Sequence, residues 1–203
     1  MNPDAHLARF VEIEPYVARS TVLDLGCASG WRRSDWFHGL IAGVASECVG
    51  VDLDGEALTT MSERGYQLVH GDAQTVDLGR TFDVVHAGEL VEHLDDPHAL
   101  LASARRHMRA DSRLVLTTPN AFCVTNFLYR LGGQPKVNRD HVCWYCEDTL
   151  RQLLERNDFE ILELRYLRHA TPGRARAVVS GGVRRVLPDR LAWNTLLAVG
   201  QAR

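Results

Sequence analysis

Apolar positions along the chain switch period repeatedly, from helical spacing to short unbroken runs and back. Between His6 and Arg19, residues Leu7, Phe10, Val11, Tyr16 and Val17 fall at helical spacing. Thr21 to Leu25 is then a five-residue β-branched and apolar run, the pattern of a strand buried on both faces. The same alternation predicts helices over 31–40 and 55–64, the second closed by Gly65. It predicts strands over 45–51, 67–70 and 82–86. Asp95 and Asp96 precede Pro97, a cap followed by a first-turn proline, so a helix should start there and run to about Arg109. A strand over 113–118, an irregular stretch over 121–140, a helix over 146–157 and strands over 159–167 and 195–202 complete the pattern. Residues 171–190, rich in Arg and Gly, carry mixed helix and loop character.

Strands alternating with helices predict right-handed βαβ units around a parallel sheet. The two last strands are separated by a short excursion and predict an antiparallel hairpin at one edge. At 203 residues, the expectation is one domain over 1–203, with 121–140 and 168–192 as insertions on the substrate side. No stretch reaches the ~20 apolar residues of a membrane span, and the N-terminus lacks a basic-then-apolar leader pattern. The expected compartment is the cytoplasm, without membrane attachment. The net charge of −3 gives no global case for nucleic acid as a partner. Five cysteines at irregular spacing argue against a disulfide framework, and Cys143-x-x-Cys146 alone is half of a zinc site.

Candidate chemistry sits where strands end, because ligands of open parallel sheets bind beyond the carboxyl ends of the strands. The first strand leads into Leu23-Asp24-Leu25-Gly26-Cys27-Ala28-Ser29-Gly30. Its G-x-x-x-G spacing departs from the G-x-G-x-x-G that seats a pyrophosphate, which disfavours a nicotinamide dinucleotide. The second strand ends at Asp52, where a carboxylate can accept both hydroxyls of a ribose. The third leads into Gly71-Asp72-Ala73, where an acid can accept an adenine amino group. Three ligand-competent turns after three consecutive strands point to a bound nucleoside.

These motifs resemble those of the class I S-adenosylmethionine-dependent methyltransferases. VLDLGCASG is similar to their glycine loop, VGVDLD to their ribose-binding segment and HGDAQ to their adenine turn. The resemblance continues through FDVVHAGELVEHLDDP and RLVLTTPN to the C-terminus. It implies an α/β, Rossmann-like, doubly wound fold with a mostly parallel seven-stranded sheet and an antiparallel C-terminal hairpin. It implies S-adenosylmethionine as cofactor, with Asp24, Gly26 and Gly30 beside the methionine moiety. Asp52 and Leu53 would then hold the ribose and flank the adenine, and Asp72 and Ala73 would read the adenine edge.

The fourth strand is followed by Gly88-Glu89-Leu90-Val91-Glu92-His93. On a helical turn Glu89, Glu92 and His93 would share a face. With a later residue from Asn138-Arg139-Asp140-His141, two carboxylates and imidazole nitrogen suit Mg²⁺, Mn²⁺ or Fe²⁺. A metal-free acid–base pair, Glu92 with His141, is equally open. Two branches of the family share this pattern, the ubiquinone-pathway O-methylases and the small-RNA 3′-end ribose methylases. In the second branch the equivalents of Glu89, Glu92, His93 and His141 bind a divalent ion. Asp140 to Phe159 is similar to bacterial small-molecule methyltransferases, so the expected reaction is methyl transfer to an oxygen or nitrogen of a small molecule. The alternatives are 2′-O-methylation of an RNA 3′-terminal ribose, or a non-catalytic cofactor-binding module. Tyr129, Trp144 and Tyr145 are candidates for the acceptor pocket or for core packing. Seven arginines between Arg165 and Arg190 suit either an anionic substrate or a solvated surface.

Overall fold

The computed structural model describes residues 3–131, 133, 138–167 and 186–203. Seven strands form one sheet in the order β3-β2-β1-β4-β5-β7-β6. They are β1 (Thr21–Leu25), β2 (Glu47–Asp52), β3 (Gln67–His70), β4 (Phe82–Gly88), β5 (Met108–Pro119), β6 (Phe159–Tyr166) and β7 (Thr195–Ala202). The pairs joining β3, β2, β1, β4 and β5 are parallel. β7 runs antiparallel to both β5 and β6, so the late hairpin lies at one edge, with β7 inserted between its neighbours. The fold is therefore Rossmann-like α/β, as the sequence resemblance implies.

Helices α1 (Pro3–Val17) and α2 (Phe37–Ala42) cover one face, where Phe10, Ile13, Val17, Phe37 and Ile41 pack on Val22 and Val84. Helices α4 (Pro97–Arg106) and α6 (Glu147–Arg156) cover the other, with Leu100, Leu101, Leu150 and Leu154 on Leu23, Val85 and Leu114. Helix α3 (Gly55–Ser62) packs beside the β3 edge. The start signals act as expected. Asp54 accepts the Ala57 N–H at 3.0 Å, and Asp96 accepts those of His98 and Ala99 at 3.0 Å each. Each cap is worth about 1 kcal/mol.

Three local expectations change. The helix predicted over 31–40 is confined to Phe37–Ala42, because residues 26–35 turn tightly around the glycine loop. There the Trp36 indole N–H donates to the Cys27 carbonyl at 2.7 Å, and Arg33 pairs with Asp35 at 2.8 Å. β5 begins at Met108, earlier than predicted, since the Phe82 N–H takes the His107 carbonyl and α4 ends at Arg106. Part of the stretch read as irregular over 121–140 is a helix, α5 (Val124–Leu131), whose Phe127, Leu128 and Leu131 are exposed. The Arg- and Gly-rich stretch over 171–190 lies outside the described residues up to 185, and the chain then forms the short helix α7 (Asp189–Ala192).

Candidate active site

The carboxyl ends of β1, β2 and β4 meet at two hollows that share Gly26, Glu89 and His93 in their linings. One, of about 510 Å³, is lined by Gly26, Gly30, Asp52, Asp54 and Leu90. The other, of about 270 Å³, lies deeper and is lined by Asp24, Gly26, His86, Glu92, His93 and His141. Gly26 and Gly30 adopt φ of 77° and 76°, a left-handed conformation that L side chains resist, so the loop needs glycine there. A Cβ on Gly26 would also come within 3.0 Å of Leu90.

Asp52 knits the site. One carboxylate oxygen accepts the Ala28 N–H of the glycine loop at 2.8 Å, and the other accepts the Asp54 N–H at 3.0 Å. The turn after β3 is joined to it, because the Gly71 N–H donates to the Asp52 carbonyl at 3.0 Å. Within that turn the Asp72 carboxylate accepts the Gln74 N–H at 2.9 Å, and Ala73 is buried. Leu53 is exposed. Leu53, Asp72 and Ala73 line neither hollow.

At the reaction side Glu89, Glu92 and His93 do not share a helical face. The Glu89 N–H donates to the Thr117 carbonyl at 2.8 Å, which extends the strand ladder. Glu89 itself has φ of 53°, and only Val91–His93 forms a single 3₁₀ turn. Glu89 therefore turns to Arg9 of α1, 3.6 Å away. Glu92, His93 and His141 do converge, each offering a ligand atom within 4.8 Å of the others. The loop bearing His141 is held in place because the Val142 N–H donates to the Glu92 carbonyl at 2.9 Å.

Burial pushes the Glu92 carboxyl up to about 8, and the nearby charge of Glu89 adds to the shift. Thr118 Oγ1 donates to one Glu92 oxygen at 2.9 Å, while Oε1 is buried without a partner. Burial, reinforced by His93, lowers the pKa of His141, whose Nδ1 is likewise buried and unpartnered. His93 Nδ1 lies 3.1 Å from the Asp140 carbonyl, which can only accept, so Nδ1 carries a proton, and in the neutral ring Nε2 is the acceptor.

Two residues that the sequence reading passed over belong to this site. His86 and His38 bind the two oxygens of Asp24 at 2.6 and 2.8 Å. Their only local signal is polarity in positions where apolar residues would be expected. Other candidates fall elsewhere. Tyr145 packs in the apolar core, and Trp144 lines a separate cleft of about 810 Å³ with Phe122 and Phe127. The Tyr129 side chain lies outside the described residues. Cys143 Sγ lies 3.8 Å from the Val91 and Glu92 carbonyls, and Cys146 precedes α6 as its cap residue. Arg165 pairs with Glu12 at 2.8 Å and with Glu163 at 2.5 Å, and most of the other predicted arginines lie outside the described residues.

A seven-stranded, mostly parallel sheet with a glycine loop and an acid at successive strand ends defines a nucleoside-binding α/β protein. Residues 4–164 match the family described as methyltransferase domain, and the chain belongs to the class I S-adenosylmethionine-dependent methyltransferase family. The ubiquinone biosynthesis O-methyltransferase of Thiobacillus denitrificans is 28% identical over 134 residues, 62% of this chain and 56% of that protein. The match thus spans little more than half the length of that curated relative. Among solved structures, a SAM-dependent methyltransferase from Archaeoglobus fulgidus aligns with a TM-score of 0.69 at 18% identity, covering 98% of this chain and 94% of that one. Magnesium protoporphyrin IX methyltransferase from Synechocystis, solved with bound SAH, aligns at 0.63 and 14% identity over 97% and 80% of the two chains. Among the described residues no helix is long and apolar enough to cross a membrane.

Proposed function

We propose that the chain transfers a methyl group from S-adenosylmethionine to an oxygen of a small-molecule acceptor. The observation that carries this reading is the convergence of Glu92, His93 and His141 at the inner end of the glycine-loop hollow. The relatives named ubiquinone biosynthesis O-methyltransferase favour oxygen over nitrogen. When bound, the cofactor supplies a sulfonium methyl open to in-line attack. Gly26 and Gly30 give its chain room beside the backbone, and Asp52 accepts the ribose hydroxyls. Leu53, Asp72 and Ala73, which line neither hollow, would flank and read the adenine. Holding acceptor and methyl in register can lower the barrier by roughly 7–11 kcal/mol.

A hydroxyl acceptor must also lose its proton. His141 is neutral at pH 7 because burial lowers its pKa, so it can take that proton. Glu92 is protonated at the same pH and can donate a hydrogen bond to the acceptor oxygen. The same atoms suit a divalent cation. Glu92 Oε1 and the His141 Nδ1 lone pair lack partners, and the mixed oxygen and nitrogen set fits Mg²⁺, Mn²⁺ or Fe²⁺. Glu92, His93 and His141 would hold it, Glu89 would not, and the ion would supply Lewis acidity toward the acceptor hydroxyl.

The test is transfer of labelled methyl from S-adenosylmethionine to a panel of phenols and catechols, with and without Mn²⁺ and chelator. Methylation lost in Glu92→Ala and His141→Ala supports the reading. Turnover only on RNA with an intact terminal diol would replace it with ribose methylation. Cofactor binding without turnover on any acceptor would reduce the chain to a binding module.

A further inference from the structure

One row of residues crosses the sheet beneath α1 and α2. Gly50 of β2 pairs with Asp24 of β1, and Asp24 pairs in turn with His86 of β4. His38 of α2 descends into the space that Gly50 leaves, where an added Cβ would stand 2.8 Å from its ring. Both Asp24 oxygens are therefore occupied, by His86 Nδ1 at 2.6 Å and His38 Nδ1 at 2.8 Å. Burial alone would raise the Asp24 pKa, but the two imidazoles more than offset it and hold the carboxyl well below the usual range. An ionised carboxylate only accepts, so each imidazole donates its Nδ1–H, and in the neutral ring this tautomer leaves the lone pair on Nε2. Both Nε2 atoms are buried and without a partner in the structure, at side chains only 1–2% exposed.

The next row toward the carboxyl edge is nearly empty of side chains. Gly88 of β4 pairs with Thr117 of β5, and Gly26 follows β1. A Cβ on Gly88 would come within 2.9 Å of His86 Nε2 and 3.5 Å of Thr117 Oγ1. Glycine thus leaves space beside the Cε1–Nε2 edge of the His86 ring, in the lining of the hollow of about 270 Å³. Phe37 stacks on that ring at 5.4 Å and 16°, which fixes its plane.

We propose that His86 is a specificity-determining residue that accepts a hydrogen bond from the α-ammonium group of the bound cofactor through Nε2. This rests on the S-adenosylmethionine reading above and adds the residue that reads its amino-acid end. A buried acceptor lone pair backed by an ionised carboxylate attracts a cationic donor and repels a carboxylate. An ammonium group has both the charge and the spare N–H bonds. Asp24 is the positioning residue, because it sets the tautomer that aims the lone pair at the hollow, and His38 holds its second oxygen.

Calorimetric titration with three adenosyl probes tests this. S-adenosylhomocysteine carries both ends of the amino acid, its decarboxylated analogue keeps only the amine, and methylthioadenosine has neither. The wild-type protein should bind the first two more tightly than the third. His86→Ala should weaken those two by about ten- to a hundredfold and leave methylthioadenosine unchanged, which also reports that the variant is folded. His86→Gln, whose amide oxygen can accept, should recover part of the loss. Equal weakening of all three probes would assign His86 a packing role and overturn the proposal. Unchanged affinities with a lowered turnover rate would overturn it in favour of action on the acceptor. If wild-type protein binds none of the probes, the cofactor reading fails and takes this proposal with it. If wild type and His86→Ala bind all three alike, only this proposal fails.

Discussion

Leu23, Leu25, Val85 and Ala87 point from β1 and β4 to the face under α4 and α6, while Asp24 and His86, one residue away, point to the face under α1 and α2. The first face is continuous hydrocarbon from Leu100 to Phe159. The second is apolar near the amino ends of the strands, at Val22 and Val84, and turns polar toward their carboxyl ends. Strand alternation thus lets two strands supply a core and a site at once. The difference lies in satisfaction. Buried carbon on the first face needs no partner, whereas the second keeps His86 Nε2 and Thr117 Oγ1 buried and without a hydrogen-bond partner. Each such group costs roughly 1–3 kcal/mol until a ligand meets it.

The largest effect should come from the polar side. Asp52→Ala removes the proposed acceptor for two ribose hydroxyls, each bond worth about 1.5–3 kcal/mol, and frees the Ala28 N–H that it holds. Affinity for S-adenosylhomocysteine should fall by at least about a hundredfold in calorimetry, a larger effect than the loss of stability from the freed N–H groups, about 1–3 kcal/mol. On the apolar side Phe82→Ala should cost about 3–5 kcal/mol in urea unfolding, because this ring is fully buried. Its affinity for the same ligand, measured where the variant is folded, should match wild type. A parallel fall in affinity would mean that the two faces are not separable.

Glu92 sharpens the comparison through pH. Its folded pKa of about 8 lies above that of an unfolded carboxyl, so the folded protein keeps a proton that the unfolded chain releases. Stability from this group is full below the ordinary carboxylate range and is lost as pH rises toward 8, by about 1.4 kcal/mol per pH unit. Glu92→Gln should flatten that slope and exceed wild type in melting temperature near pH 8. On the metal-assisted reading, a cation held through Glu92 would displace the same proton, so any Mn²⁺ affinity should rise with pH in wild type and be lost in the variant. The smallest effect belongs to the exposed Arg32–Glu56 pair at 2.6 Å, where Arg32→Ala should change stability by about 0–1 kcal/mol.

The strands were legible in sequence because their apolar runs stop at Gly, Asp or Pro. The glycine loop and Asp52 were legible because chain order places them at successive strand ends. The helix α5 was not, although Val124, Phe127, Leu128 and Leu131 fall at i, i+3, i+4 and i+7; Gly132-Gly133 directly after it reads as loop, and in the structure Phe127, Leu128 and Leu131 are exposed rather than in the core. The helical face expected for Glu89, Glu92 and His93 does not form, because a strand-ladder bond at Glu89 delays the turn until Val91; Glu89 lines the same hollow but lies outside the close Glu92–His93–His141 group. The Asp24–His86 pair was out of reach for another reason. Its members are 62 residues apart, and only the β1–β4 register brings them together.

All of this depends on the carboxyl edge of the sheet accepting an adenosyl sulfur compound. Titration of the purified wild-type chain with S-adenosylhomocysteine and, separately, with NAD measures it directly. Saturable one-to-one binding of the first and none of the second is the predicted result. A folded protein with no measurable affinity for S-adenosylhomocysteine would contradict it.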